Sequence, residues 1–139
     1  MILLDTSGLL AALDASQRRH AACRAVLEAS KGPLLLSPFV LAELDYLLMR
    51  HVGANGQAAL LDEVVRGAYR LETFTADDVA RASEVMRRYG DLQIGLADAS
   101  IVVLAERHGT PDVLTLDLRH FQTLRLGSRK RFRILPADT

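Results

Sequence analysis

Three apolar runs, none longer than three residues, constrain this chain more than any other feature. Ile2-Leu3-Leu4 stops at Asp5-Thr6-Ser7, Leu34-Leu35-Leu36 stops at Ser37-Pro38, and Val113-Leu114 stops at Thr115, two residues before Asp117. Continuous runs this short read as strands covered on both faces, as in a parallel sheet. Longer helical stretches separate them. Gly8–Leu13 follows the first run, and Ser16 can cap a helix over Gln17–Ala29 that Lys31-Gly32-Pro33 ends. Ser37 as N-cap with Pro38 at the first helical position starts a nearly all-apolar helix over Pro38–His51, expected to be buried. A helix over Gln57–Arg66 and an alternating edge strand over Tyr69–Phe74 come next. Thr75 to Asp78 resembles a capping box for a helix reaching Tyr89. The loop Asp91–Gly95 leads into a helix over Leu96–Arg107, and Leu118–Leu124 is a short helix or turn before a last strand over Phe132–Leu135. Strands alternating with helices predict an α/β fold on a parallel sheet, one domain spanning 1–139.

Composition removes several function classes. One cysteine, Cys23, permits neither a disulfide framework nor a thiolate metal site, and its place among Val26 and Leu27 makes it a core residue. No apolar run approaches the roughly 20 residues that span a bilayer, and no basic-then-apolar leader opens the chain, so the expected location is cytoplasmic, with no membrane partner. Net charge is zero, so no global basic field marks a nucleic-acid partner. The distribution is uneven, however: Arg119, Arg125, Arg129, Lys130, Arg131 and Arg133 follow Asp117. Such a tail can track phosphates or form a solvated surface.

Four acids stand in awkward places. Asp5 and Asp117 fall at the carboxyl ends of strands, where open α/β sheets collect ligands, although each can also cap the helix after it. Glu43 shares a helix face with Phe39 and Leu47, with Asp45 as a competitor that could pair with an arginine. Asp98 occupies the first turn of the most apolar helix, where the dipole returns only about 0.3–1 kcal/mol against the cost of burying an unpaired carboxylate. In a parallel sheet these acids would converge at one edge, and together they repel unless a cation neutralises them. Oxygen ligands without cysteine or a paired-histidine motif suit Mg²⁺ or Mn²⁺ rather than Zn²⁺. Such a centre can activate water for displacement at phosphorus. The residues thus suggest metal-dependent phosphodiester hydrolysis.

Leu4-Asp5-Thr6-Ser7, Ser37-Pro38 with Leu41-Ala42-Glu43-Leu44, Leu96-Ala97-Asp98-Ala99-Ser100-Ile101, and Leu114-Thr115-Leu116-Asp117 with Arg119-His120-Phe121 resemble, in order and spacing, the PIN-domain nucleases and more narrowly the VapC toxins of toxin–antitoxin pairs. The resemblance implies a PIN-like five-stranded parallel sheet sandwiched between helices, and a Mg²⁺- or Mn²⁺-dependent endoribonuclease. It makes Asp5, Glu43, Asp98 and Asp117 an acidic quartet around the metal, with Thr6, Ser7 and Thr115 as hydroxyls that orient water or a carboxylate. It also implies an RNA substrate, a homodimer and a cognate antitoxin, whose basic side chain enters the acidic pocket and whose groove lies around Pro38–His51 and Gln57–Arg66. Asp91 is either an outer support of the Asp98 helix or a loop cap. Arg119, His120 and Arg129-Lys130-Arg131 are candidates for phosphate contacts. His20, His51, His108 and His120 are scattered; only His120 falls near the site, and it receives no catalytic role.

Two other readings compete. A receiver-type phosphoacceptor domain needs paired acids on its first strand and a late lysine, whereas Asp5 stands alone and Lys130 sits in a basic cluster. A catalytically silent binding module for RNA or protein would keep the fold without turnover, and the intact quartet counts against it.

Overall fold

Strand β1 (Ile2–Leu4) lies at the centre of the molecule and everything else is arranged on its two sides. The computed structural model describes residues 1–127 and 129–139. Beside β1 run β2 (Leu34–Leu36), β3 (Arg70–Leu71), β4 (Asp112–Leu114) and, after the short antiparallel hairpin β5 (Arg125–Leu126) and β6 (Lys130–Arg131), β7 (Arg133–Leu135). The main sheet is five-stranded and entirely parallel, in the order β3-β2-β1-β4-β7. Successive strand residues face opposite sides of a sheet. All three residues of β1 are buried, and two each in β2, β4 and β7, so helices must cover both faces. This is the expected α/β architecture.

The chain leaves β1 toward β2 and β3 on one side, then returns to place β4 and β7 on the other. The strand order therefore reverses between β1 and β4, the position at which open sheets form a crevice beyond their carboxyl ends. Asp5 follows β1 and Asp117 follows β4, so topology alone brings these acids to one rim. Helix α1 (Thr6–Leu13) packs very closely there: a Cβ on Gly8 would sit 2.5 Å from the Leu114 carbonyl oxygen. Glycine is what allows the helix to approach the β4 backbone.

The remaining helices are α2 (His20–Ala29), α3 (Pro38–His51), α4 (Ala54–Val65), α5 (Ala76–Arg88), α6 (Leu96–His108) and the one-turn α7 (Leu118–Phe121). The Thr75 capping box forms as expected, with the Thr75 hydroxyl and the Asp78 carboxylate each accepting a backbone N–H. Other expectations need correcting. Ser16 does not cap α2; its hydroxyl and N–H both donate to Asp14, in a turn that delays the helix to His20. Helix α3 is not buried all round, because Val40, Leu44 and Leu48 form its only buried stripe while Tyr46 and Met49 are exposed. Val79, expected to face inward on α5, is exposed. The edge strand shrinks to Arg70–Leu71, which pairs with β2 on one side only. Among the described residues no helix is long and apolar enough to cross a membrane.

Candidate metal centre at the β1–β4 rim

Asp5 is almost completely buried, and its carboxylate does not cap α1. Instead Oδ2 accepts hydrogen bonds from the Thr115 hydroxyl at 2.6 Å and the Ser7 hydroxyl at 3.2 Å. The two hydroxyls are knitted into the rim themselves: Thr115 Oγ1 accepts the Asp117 N–H and Ser7 Oγ accepts the Leu116 N–H. Two strand ends remote in sequence are thereby locked together around one carboxylate. Burial, with a contribution from the Asp98 charge, pushes the Asp5 pKa up from 3.8 to about 6 despite these hydroxyls. Thr6, the third expected hydroxyl, is buried with Oγ1 lacking any hydrogen-bond partner among the described residues.

Asp98 projects from the first turn of α6, which starts at the N-cap Gly95. Burial raises its pKa; His120 and the Gly95 N–H act against that shift, while Asp117 and Glu43 reinforce it. Asp117 combines two roles weighed against each other in the sequence. Its Oδ1 caps α7 by accepting the His120 N–H, and its Oδ2 turns toward the His120 ring. Phe121, the last residue of α7, packs edge-on against Phe132 with centroids 5.5 Å apart, which anchors this single turn.

Glu43 is the outlying member. It is exposed on α3, contrary to the expectation of a costly buried acid, and it is felt at Asp98 through its charge. Helix α3 is nevertheless held to α6. The Ser100 hydroxyl donates to the Ala97 carbonyl at 2.6 Å, so its partner Ser37 is the donor in their 2.7 Å contact, and the Phe39 N–H donates to Ser37 Oγ. Both serines are fully buried, which fixes the helix bearing Glu43 against the helix bearing Asp98. Asp45 pairs not with an arginine but with Gln57, whose Nε2 donates at 2.7 Å. Asp91 is exposed on the 3-10 turn Gly90–Leu92 and bonds to none of the four acids.

The residue given no catalytic role in the sequence, only a candidate phosphate contact, is His120. Its Nδ1 stands 2.7 Å from Asp117 Oδ2 and 3.4 Å from Asp98 Oδ2, with Asp98, Asp117 and His120 offering ligand atoms all within 4.8 Å of one another. The spacing Asp117-x-x-His120, one helical turn, was the signal available for this placement. The donor set suits a hard or borderline divalent cation: clustered carboxylate oxygens, a hydroxyl left unsatisfied, and one imidazole. Beside it, Arg19, Thr115, Leu116, Leu118, Pro136 and Ala137 line a cavity of about 210 Å³. Arg119, Arg129, Lys130 and Arg131 are exposed and form no ion pair among the described residues.

Comparison with known proteins identifies the family and the fold. The sequence profile of the PIN domain matches residues 2–125. Ribonuclease VapC26 of Mycobacterium tuberculosis is 42% identical over 135 residues, covering 97% of this chain and all of the relative. Among solved structures, the sarcin–ricin-loop-cleaving toxin VapC20 of M. tuberculosis superposes with a TM-score of 0.79 at 25% identity, over 84% of this chain and 90% of that one. VapBC2 of Rickettsia felis, solved with promoter DNA, shares the fold at a TM-score of 0.67 and 20% identity, over 96% and 98% of the two chains. The chain therefore belongs to the PIN-domain family, and within it to the VapC-type ribonucleases.

Proposed function

We propose that this protein is a metal-dependent endoribonuclease, the toxin of a type II toxin–antitoxin pair, acting in the cytoplasm as a homodimer of single-domain subunits spanning 1–139. The observation that carries the metal dependence is the clustering of buried carboxylates at the rim, where burial first, and the charges of neighbouring acids second, raise Asp5 and Asp98 above the ordinary carboxylate range. Asp5, Asp98, Asp117 and Glu43 hold Mg²⁺ or Mn²⁺. A bound divalent ion neutralises these acids and stabilises charge building on phosphoryl oxygens. Ser7 and Thr115 keep the Asp5 carboxylate in one orientation, so no reorganisation is needed when substrate arrives. Glu43, the most exposed of the four, is the carboxylate free to take a proton from the attacking water. Thr6 Oγ1, with no partner of its own, is available to orient that water.

The RNA backbone runs beside the rim, where Arg19 and Arg119 meet its phosphates. The antitoxin covers the exposed apolar residues of α3 and α4, namely Tyr46, Met49, Leu61 and Val65. It holds the enzyme inactive by placing a basic side chain among the acids. The R. felis VapBC2 structure and that of FitAcB from Neisseria gonorrhoeae, matched at a TM-score of 0.57 and 22% identity over 78% and 83% of the two chains, are the fold relatives that prompt this part of the reading.

The test is cleavage of labelled total RNA by the purified, partner-free protein with Mg²⁺, with Mn²⁺ and with EDTA, beside Asp98→Asn. Discrete cleavage that vanishes in EDTA and in the variant is expected, and the cut fragments identify the target class. RNA binding without cleavage in every condition would replace the nuclease with a silent binding module. Cleavage that survives Asp98→Asn would remove the rim from the mechanism.

A further inference from the structure

We propose that His120 is a ligand of the divalent ion, its Nδ1 joining Asp98 and Asp117, and that this nitrogen gives the centre a preference for Mn²⁺ over Mg²⁺ that an all-carboxylate site lacks. The inference rests on the metal-dependent reading above and goes beyond it, since that reading uses oxygen ligands only.

Three observations converge on the imidazole. First, the spacing fits one coordination sphere. Atoms bonded to a common ion at about 2.1 Å lie about 3 Å apart when adjacent and about 4.2 Å apart when opposite. Nδ1 is 2.7 Å from Asp117 Oδ2 and 3.4 Å from Asp98 Oδ2, both close to the spacing of adjacent ligands. Second, this is not an ordinary hydrogen-bonded ion pair. An N–H directed at Oδ2 across 2.7 Å would make a hydrogen bond, yet Nδ1 is buried without a hydrogen-bond partner among the described residues. The nitrogen lies beside the carboxylate rather than aiming at it, as two ligands of one ion do. In the tautomer with its proton on Nε2, that nitrogen presents a lone pair. Third, the backbone that carries the ring is held in place. The His120 N–H donates to Asp117 Oδ1, and the neighbouring Phe121 is locked under Phe132.

The consequence is chemical selectivity. Carboxylates serve Mg²⁺ and Mn²⁺ alike, whereas imidazole nitrogen favours first-row transition ions, with affinity rising beyond Mn²⁺ along the series. Mg²⁺ gains least from the exchange because it holds its oxygen shell most firmly. Asp98, Asp117 and His120 therefore form the selective part of the centre, and Asp5 and Glu43 contribute charge.

The test uses the full chain loaded with Mn²⁺ and pulsed electron paramagnetic resonance, which detects a ¹⁴N nucleus bonded to the ion. The unaltered protein is expected to show coupling to one imidazole nitrogen, lost in His120→Ala and in His120→Gln. In competition, the Mg²⁺ concentration that displaces half the Mn²⁺ should fall by about tenfold in both variants. Melting curves in EDTA establish that the variants fold, and the signal of the unaltered protein needs no variant. Bound Mn²⁺ without nitrogen coupling overturns the ligand role and leaves the metal-dependent reading standing. Coupling that persists in His120→Ala assigns the nitrogen to another residue and overturns it as well. Failure to bind Mn²⁺ at all overturns both.

Discussion

Two groups of largely buried carboxylates sit at different places in this molecule under opposite electrostatics. Glu72, just past β3 with a side chain only 9% exposed, touches Arg70, Arg107 and His108, and Arg107 also reaches Asp78. Burial pushes the Glu72 pKa up, but His108 and Arg70 more than offset it and the group ends below its ordinary value. At the rim, Asp5 meets hydroxyls instead of cations, and among the described residues the ionisable nitrogen near Asp98 and Asp117 is that of His120. There burial pushes the pKa values of Asp5 and Asp98 up. The first group is complete as folded. The second is short of positive charge, and that deficit is what a divalent ion or a partner's basic side chain can fill.

The largest effect that tests this contrast is on catalysis. Asp5→Asn should lower RNA cleavage by at least about a hundredfold, since the charge stabilisation removed is worth several kcal/mol; an active variant would mean that the deficit serves no chemistry. The same substitution should stabilise the ion-free protein. Folded Asp5 keeps its proton up to about pH 6, against 3.8 for an unperturbed carboxyl. Between those values the folded state binds more protons than the unfolded state, so stability falls as pH rises through the window, by about 3 kcal/mol for this group. Melts in EDTA should therefore be lower at pH 7.5 than at pH 5, and saturating Mn²⁺ or Asp5→Asn should flatten the drop. An unchanged profile would show that Asp5 is relieved by some other charge.

Glu72→Gln should act in the opposite sense, costing about 1–2 kcal/mol in a denaturant titration while RNA cleavage stays within twofold. Stabilisation by this variant would erase the distinction between the two clusters. Ser37→Ala breaks the hydroxyl chain between α3 and α6 and should cost about 1 kcal/mol, with a cleavage loss larger than the fraction unfolded explains. Smallest is Arg24→Ala, which removes an exposed helical ion pair with side chains 51% and 67% accessible and should change stability by less than about 0.5 kcal/mol.

The parallel sheet was legible because Ile2–Leu4 and Leu34–Leu36 are too short for helices and too apolar for one-sided strands. The rim acids were legible because each interrupts an apolar context. What escaped was anything decided by tertiary approach. Glu43 shares a helical face with Phe39 and Leu47, and periodicity cannot show that this face lies at the margin of the core, with the two apolar residues half-buried and Glu43 exposed. His120 is unremarkable until Asp117 caps α7 and turns the ring inward. The hairpin β5–β6 hides in a basic stretch with no alternation to mark it. Ser37 reads as a cap, which it is, but its bond to Ser100 crosses 63 residues and leaves no trace in local pattern.

The central position of β1 also fixes when the rim can come into being. Leu3 and Leu4 pair with Val113 and Leu114, and the Asp5 N–H donates to the Leu114 carbonyl, so β1 is completed by a strand made long after it. Contacts this distant in sequence form slowly, and synthesis proceeds from the N-terminus. A chain still emerging from the ribosome can bury β1 against β2 but has no rim until the segment through His120 is free. The close approach of Gly8 to Leu114 then brings Asp5 and Thr115 together. A PIN-domain chain of this topology thus has no rim until β4 and α7 have been made, long after β1, and the acids cannot act together before then.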